Sequence, residues 1–346
     1  MNGYGATIRD REDGEILVYD KMEPHEPHIC IVDGDIATFR FYTQKPDLPY
    51  AVGSCLKARP HTPKPPDNNF PGLETGYRDK HLTHEIETVD PLHRCLLNPP
   101  PRGTVEPGEV EFKVVGWVQA GDPNNSQVVV VRILNSTLDL PTDVDVLAKI
   151  YDPLYFNHLH DNVNIFRFND FSYRRECAAY KHLAHLQGSI IPKYYGSFTI
   201  SVPVDGDDPR DVRLILPEIV PGLSMNKQDP SSFTKAERQE IMKAIVDSDR
   251  AVYAHGVINR DVAPRNILLP PKQRHRDRRA VIVDLGVSCI ESDLIGKSYL
   301  TGLTHRPKRF HCLDTYNFWE WVDWDWNAWI NEQYAQIKSS SMCGSK

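Results

Sequence analysis

The chain has 346 residues and a formal net charge of −7, with 40% hydrophobic and 25% charged residues. These values are typical of a soluble globular protein of two or three domains, and the acidic balance argues against nucleic acid or an anionic membrane as partner. Residues 1–20 are charged throughout and no apolar run reaches bilayer length, so we expect neither a secretory signal nor a membrane span. The seven scattered cysteines predict free thiols and a cytoplasmic or nuclear location.

Residues 1–108 are predicted to form an N-terminal extension, partly disordered, with one small β-hairpin. Residues 29–42 contain two β-rich runs around Asp33-Gly34, a pair that suits a tight type I′ turn. Prolines then recur from Pro60 to Pro101. Because each proline fixes φ and removes a backbone donor, these segments are typical of extended linkers.

Residues 109–220 carry the pattern of a small sheet with one helix. The β-rich runs predict five strands, at residues 111–118, 127–134, 144–150, 194–200 and 212–216. A helix is predicted from about residue 170 to residue 187, because Ala179, Leu183 and Leu186 share one face and Gly188 is a natural stop.

Residues 221–346 are predicted to form a second, mainly helical domain. A long helix starts at Thr234, which is placed to form a capping box with Glu237. Residues 267–269 and 281–283 predict a short β pair around a basic loop, residues 272–279. Five tryptophans between residues 319 and 329 alternate with acidic residues, which disfavours nucleic acid, and we expect the rings to pack back on this domain. The order of elements predicts an α+β protein in two lobes.

Polar residues near the end of the long helix have a spacing that suits phosphoryl transfer. Residues 259–269 read N-R-D-V-A-P-R-N-I-L-L, so Asp261 precedes Asn266 by five residues, and Asp284 follows in V-I-V-D-L-G. In such an arrangement one acid can act as the base that orients a hydroxyl, while the amide and the other acid bind the magnesium of a nucleoside triphosphate. Lys149, aimed by Glu176 on the predicted helix, would neutralise phosphate charge.

These ordered motifs resemble the protein kinase family over about residues 111–286. The resemblance implies a bilobal kinase-like fold, with a five-stranded sheet and one helix in the first lobe and a shortened helical second lobe. It implies that Lys149 binds the α- and β-phosphates of ATP and pairs with Glu176. It implies further that Asp261 is the catalytic base and that Asn266 and Asp284 bind Mg²⁺.

The resemblance also assigns nucleotide contacts. The turn G-W-V-Q-A-G-D keeps Gly116 and Gly121 for the phosphates. The segment P-E-I-V-P-G sets Glu218, Ile219 and Val220 at the adenine edge. Short kinase-like proteins of filamentous fungi are similar in ending with an aromatic tail. The function implied is ATP- and Mg²⁺-dependent phosphoryl transfer to a hydroxyl, on a protein serine or threonine.

Three departures from the kinase pattern leave alternatives open. The first turn lacks G-x-G-x-x-G, Asn259 stands where the family has histidine, and no A-P-E follows Asp284. One alternative is a pseudokinase, a binding module whose output is a contact. The other is a kinase that phosphorylates a small-molecule hydroxyl, which needs no platform for a peptide substrate.

Overall fold

The computed structural model describes residues 6–9, 16–19, 45–66, 85–86, 88–122, 124–142, 144–158, 164–271, 280–290 and 317–334. The chain divides into two units. Unit 1 comprises Met1–Ala178 and Lys193–Ile219, and unit 2 comprises Ala179–Pro192 and Val220–Lys346.

Unit 1 is rich in antiparallel strands. Two short strands, β1 (Ala6–Arg9) and β2 (Ile16–Tyr19), pair with each other. The larger sheet contains β3 (Cys55–Thr62), β4 (Thr104–Val105), β5 (Val110–Gln119), β6 (Gln127–Ser136), β7 (Asp145–Tyr151), β8 (Tyr194–Val204) and β9 (Asp207–Pro217). Helix α1 spans Pro91–Leu97, and helix α2 spans Ile165–His182, most of which belongs to this unit.

Six of these strands close into a barrel. Neighbours follow the order β3, β5, β6, β7, β9, β8, and β8 pairs back with β3. Ala58 marks the closure, since it lies opposite Val110 of β5 on one side and Ile200 of β8 on the other. Closure removes the free edges of the six-stranded sheet, and alternate residues such as Phe112 and Val131 point inward and are fully buried.

The predicted bilobal kinase-like fold is therefore wrong. Its five-stranded sheet is a closed six-stranded antiparallel barrel, because residues 55–62 of the predicted N-terminal extension supply the missing strand, β3. The sequence did not predict this strand because it contains Pro60 and has few alternating apolar residues. The mainly helical second lobe fails as well: in the described part of unit 2, helices stand beside five short strands.

Other local predictions had mixed outcomes. The five predicted strands are confirmed as β5 to β9, with shifted ends. The predicted helix is α2, but it starts at Ile165 and ends at His182, followed by a 3₁₀ turn at Ala184–Leu186. The hairpin predicted at residues 29–42 and most of the proline-bearing stretch between residues 67 and 84 lie outside the described residues.

Unit 1 also buries a complete ion pair. Arg210 donates two hydrogen bonds to Asp152, at 2.6 and 2.8 Å, and both side chains are almost fully buried. The Tyr50 hydroxyl donates to the same carboxylate at 2.7 Å. Burial and the Asp152 carboxylate raise the pKa of Tyr50 well above its usual value, so the hydroxyl remains a donor.

Unit 2 contains one long helix and small β ribbons. Helix α3 spans Lys235–Ala254, and Thr234 and Glu237 form the predicted capping box, which is confirmed. The strands are β10 (Leu223–Ser224), β11 (Val257–Ile258), β12 (Ile267–Leu269), β13 (Val281–Ile282) and β14 (Cys289–Ile290). The predicted β pair is confirmed as β12 and β13, while its basic loop, residues 272–279, lies outside the described residues.

Gly222 permits the close pairing of β10 with β12. Its φ is +124°, and a Cβ at this position would lie 2.4 Å from the Leu269 carbonyl oxygen. A side chain would thus be strained by both the backbone conformation and a clash with backbone atoms. Glycine is required here for β10 to enter the three-stranded sheet.

The tryptophan-rich tail supplies core to unit 2, as predicted. Helix α4 spans Trp326–Gln333, and Trp321, Trp326 and Trp329 are buried whereas Trp319 is 68% exposed. Trp321 lies 5.3 Å, ring centre to ring centre, from Phe233, just before α3. Arg238 of α3 pairs with Asp323 at 2.6 Å, which ties the acidic residues of the tail to the helix.

Two chemical expectations concern the whole chain. Cys55, Cys95, Cys177 and Cys289 are free thiols, and the other three cysteines fall outside the described residues. Across the portion of the chain that is described, no helix has the length and apolar content required to cross a membrane.

Candidate functional site

The predicted lysine and glutamate meet in unit 1. Lys149, on β7, donates to Glu176 Oε2 of α2 at 2.7 Å, and the two residues are only 8% and 1% exposed. The Tyr151 hydroxyl donates to the same oxygen. A buried carboxylate that receives two donors is held in one orientation, and it holds the ammonium group in turn. Sequence reasoning missed Tyr151, although its position two residues after Lys149 puts it on the same face of the strand.

Asp261 and Asn266 are joined in unit 2. The Asn266 side-chain amide donates to Asp261 Oδ2 and to the Asp261 carbonyl oxygen, both at 2.9 Å. The Asn259 side chain accepts from the Asp261 backbone N–H at 3.0 Å and thereby helps to organise the loop. Because the amide nitrogen of Asn266 faces Asp261, its amide oxygen is the atom suited to a cation.

Asp284 is brought to the same end of the β12–β13 ribbon. In the antiparallel register Ile267 lies opposite Ile282, and the Val283 N–H donates to the Asn266 carbonyl oxygen at 2.9 Å. Asp284, the next residue, has a φ of +61° and is the sole non-glycine residue with positive φ in the described ranges. Such a conformation costs free energy and is concentrated at functional sites.

The Asp284 carboxylate also shapes its own turn. Its Oδ1 accepts from the Gly286 N–H at 3.2 Å, which closes an Asx turn and suits a left-handed residue. Asp261, meanwhile, forms an ion pair with Arg265 in which the arginine is 59% and the aspartate 30% exposed. Arg265 as a partner of Asp261 was missed by sequence reasoning, and its signal was the spacing of four residues.

The oxygen donors of Asp284 and Asn266 suit magnesium better than a metal that is bound by protein side chains alone. Mg²⁺ is commonly bound through one or two carboxylates together with substrate phosphates and water, and Asp284 with the Asn266 oxygen matches that pattern. Over the described ranges no group of three or more His, Cys, Asp or Glu side chains has the placement of a metal site. A site that bound its metal through protein carboxylates alone would need such a group.

The predicted phosphate turn is arranged differently from a phosphate cradle. Gly116 lies within β5 opposite Val130, and an added Cβ would make only ordinary contacts there. Gly121 has a φ of +91°, but its N–H donates to Gln127 Oε1 at 2.5 Å. The amide that would face a phosphate is therefore engaged within the protein.

The predicted adenine edge lies at the end of β9. The Glu218 N–H donates to the Lys193 carbonyl oxygen at 2.9 Å, and the Glu218 carboxylate accepts from the Lys193 N–H at 2.9 Å. Ile219 ends unit 1 and is half-buried, whereas Val220 begins unit 2 and is buried. The structure thus brings Lys149 to Glu176 and Asp261 to Asn266, and it places Asp284 at the same end of the β12–β13 ribbon. Glu218 is hydrogen-bonded to Lys193, which directly precedes β8.

Comparison with known proteins assigns no family: no protein-family model matches the chain, and no curated protein matches it. The roles of the residues above thus depend on their chemistry and geometry.

Proposed function

We propose that the chain is an ATP- and Mg²⁺-dependent phosphotransferase that transfers the γ-phosphoryl group to a hydroxyl, on a protein serine or threonine. The observation that carries the proposal is the grouping of Asp261, Asn266 and Asp284 at one end of the β12–β13 ribbon. Oxygen donors of this kind, with one aspartate held in a strained backbone, fit a magnesium-nucleotide site better than a purely structural turn.

Each residue has a definite role in this proposal. Asp284 and the Asn266 oxygen would hold Mg²⁺, which when bound neutralises charge on the phosphate oxygens. Asp261 would accept the proton of the attacking hydroxyl, and Asn266 keeps its carboxylate oriented. Lys149, fixed by Glu176, would neutralise phosphate charge as a point cation. The four free thiols support a reducing compartment, so the proposal includes a cytoplasmic or nuclear location.

The second candidate function is that of a pseudokinase, a binding module that acts through a contact and catalyses no reaction. The N–H groups of Gly121 and Glu218, which the sequence assigned to nucleotide contacts, already donate within the protein. That observation favours weak nucleotide binding. A small-molecule hydroxyl as acceptor has no specific support among the described residues and is decided by testing substrates.

The test is phosphoryl transfer or ATP hydrolysis by the wild type, Asp261→Asn and Asp284→Asn. A matched control is Glu332→Gln, which removes one exposed charge on α4 of the same unit. We expect each aspartate variant to lose about 100-fold or more in kcat while the control keeps its activity. Equal turnover in all four proteins would overturn the proposal. Stabilisation by Mg-ATP without turnover in the wild type would support the binding module instead.

A further variant tests whether the residues of both units serve the same reaction. Lys149→Arg keeps the positive charge beside Glu176 but replaces a compact ammonium by a planar, forked group. If Lys149 acts on the nucleotide, turnover falls in this variant while the folded protein persists in circular dichroism. Unchanged turnover would remove Lys149 and Glu176 from the proposed machinery.

A further inference from the structure

Unit 1 contains a cavity that the proposed function does not use. Its volume is about 360 Å³, within the range of small-molecule sites. The walls come from three places in the unit: the proline run 99–101 after α1, the end of β7 with the turn that follows, and the first half of α2. Arg213 of β9 completes the lining.

The lining is cationic. It includes Arg167, Arg174 and Arg213 and one acidic residue, Asp170, while Arg213 is already paired with Asp211, outside the lining, at 3.6 Å. Asp170 is already paired with Arg174 at 2.9 Å. Arg167 is exposed, and within the described residues no ion pair involves its guanidinium group. The Arg167 guanidinium group at the mouth of a concave site favours a carboxylate or phosphate ligand.

The other walls are aromatic and held in place. The rings of Tyr151, Phe166, Phe171 and Tyr173 line the cavity. Arg175 lies over the Phe171 ring at 4.3 Å, and Tyr151 packs edge-on against Tyr173 at 5.5 Å between ring centres. Aromatic residues with fixed neighbours favour a ligand with a planar ring, because the lining needs little ordering on binding.

One buried polar atom in the lining requires a donor. Asn169 is 3% exposed, and its side-chain nitrogen donates to the Asn125 carbonyl oxygen at 3.3 Å. Its Oδ1 is buried and has no hydrogen-bond partner among the described residues. Leaving a buried acceptor unpaired is costly, so a ligand that brings a hydroxyl or N–H to this atom would gain affinity.

We propose that this cavity binds a small aromatic acid: a planar ring that carries a carboxylate or phosphate and, at another position, a hydrogen-bond donor. Arg167 holds the acid, the aromatic residues of the lining contact the planar body and Asn169 accepts from the donor. Tyr151 lines this cavity, and its hydroxyl donates to Glu176, which holds Lys149. A ligand in the cavity would therefore contact a residue that is hydrogen-bonded to Glu176.

The test is calorimetric titration of the full chain with 4-hydroxybenzoate, in buffer without nucleotide or magnesium, so that it is independent of the proposed function. The neutral analogue 4-hydroxybenzamide tests the acid, and benzoate tests the donor. Arg167→Gln removes an exposed lining cation, and Arg59→Gln removes an exposed cation of β3 outside the lining. Both substitutions are at the surface, so folding is preserved.

We expect 4-hydroxybenzoate to bind the wild type and Arg59→Gln equally and Arg167→Gln about 3- to 10-fold more weakly. We expect weaker binding of both analogues to the wild type. Absence of saturable heat up to about 10 mM, equal affinity in the two arginine variants, or an amide that binds as tightly as the acid would overturn the proposal.

Discussion

The two units differ in their ion pairs, because unit 1 contains pairs buried on both sides beside exposed ones such as Arg132–Asp145. In unit 1 the pairs Asp152–Arg210 and Lys149–Glu176 are buried and carry further hydrogen bonds. In unit 2 the ion pairs formed by Arg238, Lys243, Arg250 and Arg265 each keep at least one exposed partner. Burial makes a pair part of the fold, because removing one partner leaves a charge that water cannot reach.

Under the proposed function the difference would separate the roles of Asp261 and Glu176. An exposed ion pair contributes about 0–1 kcal/mol, so the contact of Asp261 with Arg265 can be exchanged for a substrate hydroxyl at little cost. The Glu176 carboxylate has no such freedom and serves to hold Lys149. A base must change partners during a reaction whereas a positioning group must not, so the proposed roles would agree with the exposure of Asp261 and the burial of Glu176.

The largest expected effect comes from breaking the buried pair of unit 1. Arg210→Met leaves Asp152 buried without its bidentate partner, and we expect a loss of about 3–5 kcal/mol in the free energy of unfolding. Urea denaturation followed by circular dichroism measures this loss.

The matched control is Arg132→Met. Arg132 also forms a bidentate pair, with Asp145 at 2.7 and 3.0 Å, but its side chain is 46% exposed. We expect a loss of at most about 1 kcal/mol. Similar losses of unfolding free energy in the two variants would show that burial does not determine how much a bidentate ion pair contributes to stability.

The next effect is acid destabilisation of unit 1 through two buried histidines. Burial and the Arg213 guanidinium lower the pKa of His61 to about 4. Burial, with Lys45 and Arg94, lowers the pKa of His158 to about 3. Both values lie below the unfolded pKa of about 6.5, so the unfolded chain takes up protons first and stability falls as the pH drops below about 6.5.

Urea denaturation at pH 7 and pH 5 checks this linkage. We expect each histidine to account for a loss on the order of 1–2 kcal/mol at pH 5. The double variant His61→Gln, His158→Gln should lose less stability on acidification than the wild type. His255→Gln, which changes an exposed histidine of unit 2, should behave as the wild type does. An unchanged pH dependence in the double variant would mean that these histidines do not titrate as described.

The smallest effect is expected for Asp284→Asn. Asparagine tolerates a positive φ and can accept from the Gly286 N–H, so Asp284→Asn should change the free energy of unfolding by less than about 0.5 kcal/mol. A β-branched residue tolerates the conformation poorly, and Asp284→Val should cost about 2 kcal/mol. Equal stability of the two variants in thermal denaturation would show that the left-handed backbone is not maintained in solution.

Local signals in the sequence account for what could be predicted. The valine-rich run at residues 127–134 alternates toward the barrel interior, and Thr234 with Glu237 has the spacing of a capping box. Asp261 and Asn266 are five residues apart, so their contact is almost local. The Lys149–Glu176 contact was inferred through the family resemblance, and the catalytic roles of these residues stay predictions.

Closure of the barrel could not be predicted from local signals in the sequence. Ala58 pairs with Ile200 across a long stretch of chain, and β3 has only Leu56 and Ala58 as alternating apolar residues before Pro60. The cavity of unit 1 was equally hidden, because Asn169 and Arg213 meet only when α2 and β9 are placed by the barrel. Contacts set by long-range pairing leave no periodic trace in the sequence.

The most direct test of the proposed function is thermal denaturation with and without Mg-ATP, for the wild type and Asp284→Asn. The substitution should leave the stability of the free protein nearly unchanged, so a difference in ligand response reports on binding. Ligands that bind the folded state raise Tm, and the rise grows with the logarithm of the ligand concentration relative to Kd. The proposal predicts a clear rise in Tm for the wild type and a much smaller rise for Asp284→Asn. An equal rise in both, or no rise in the wild type, would contradict it.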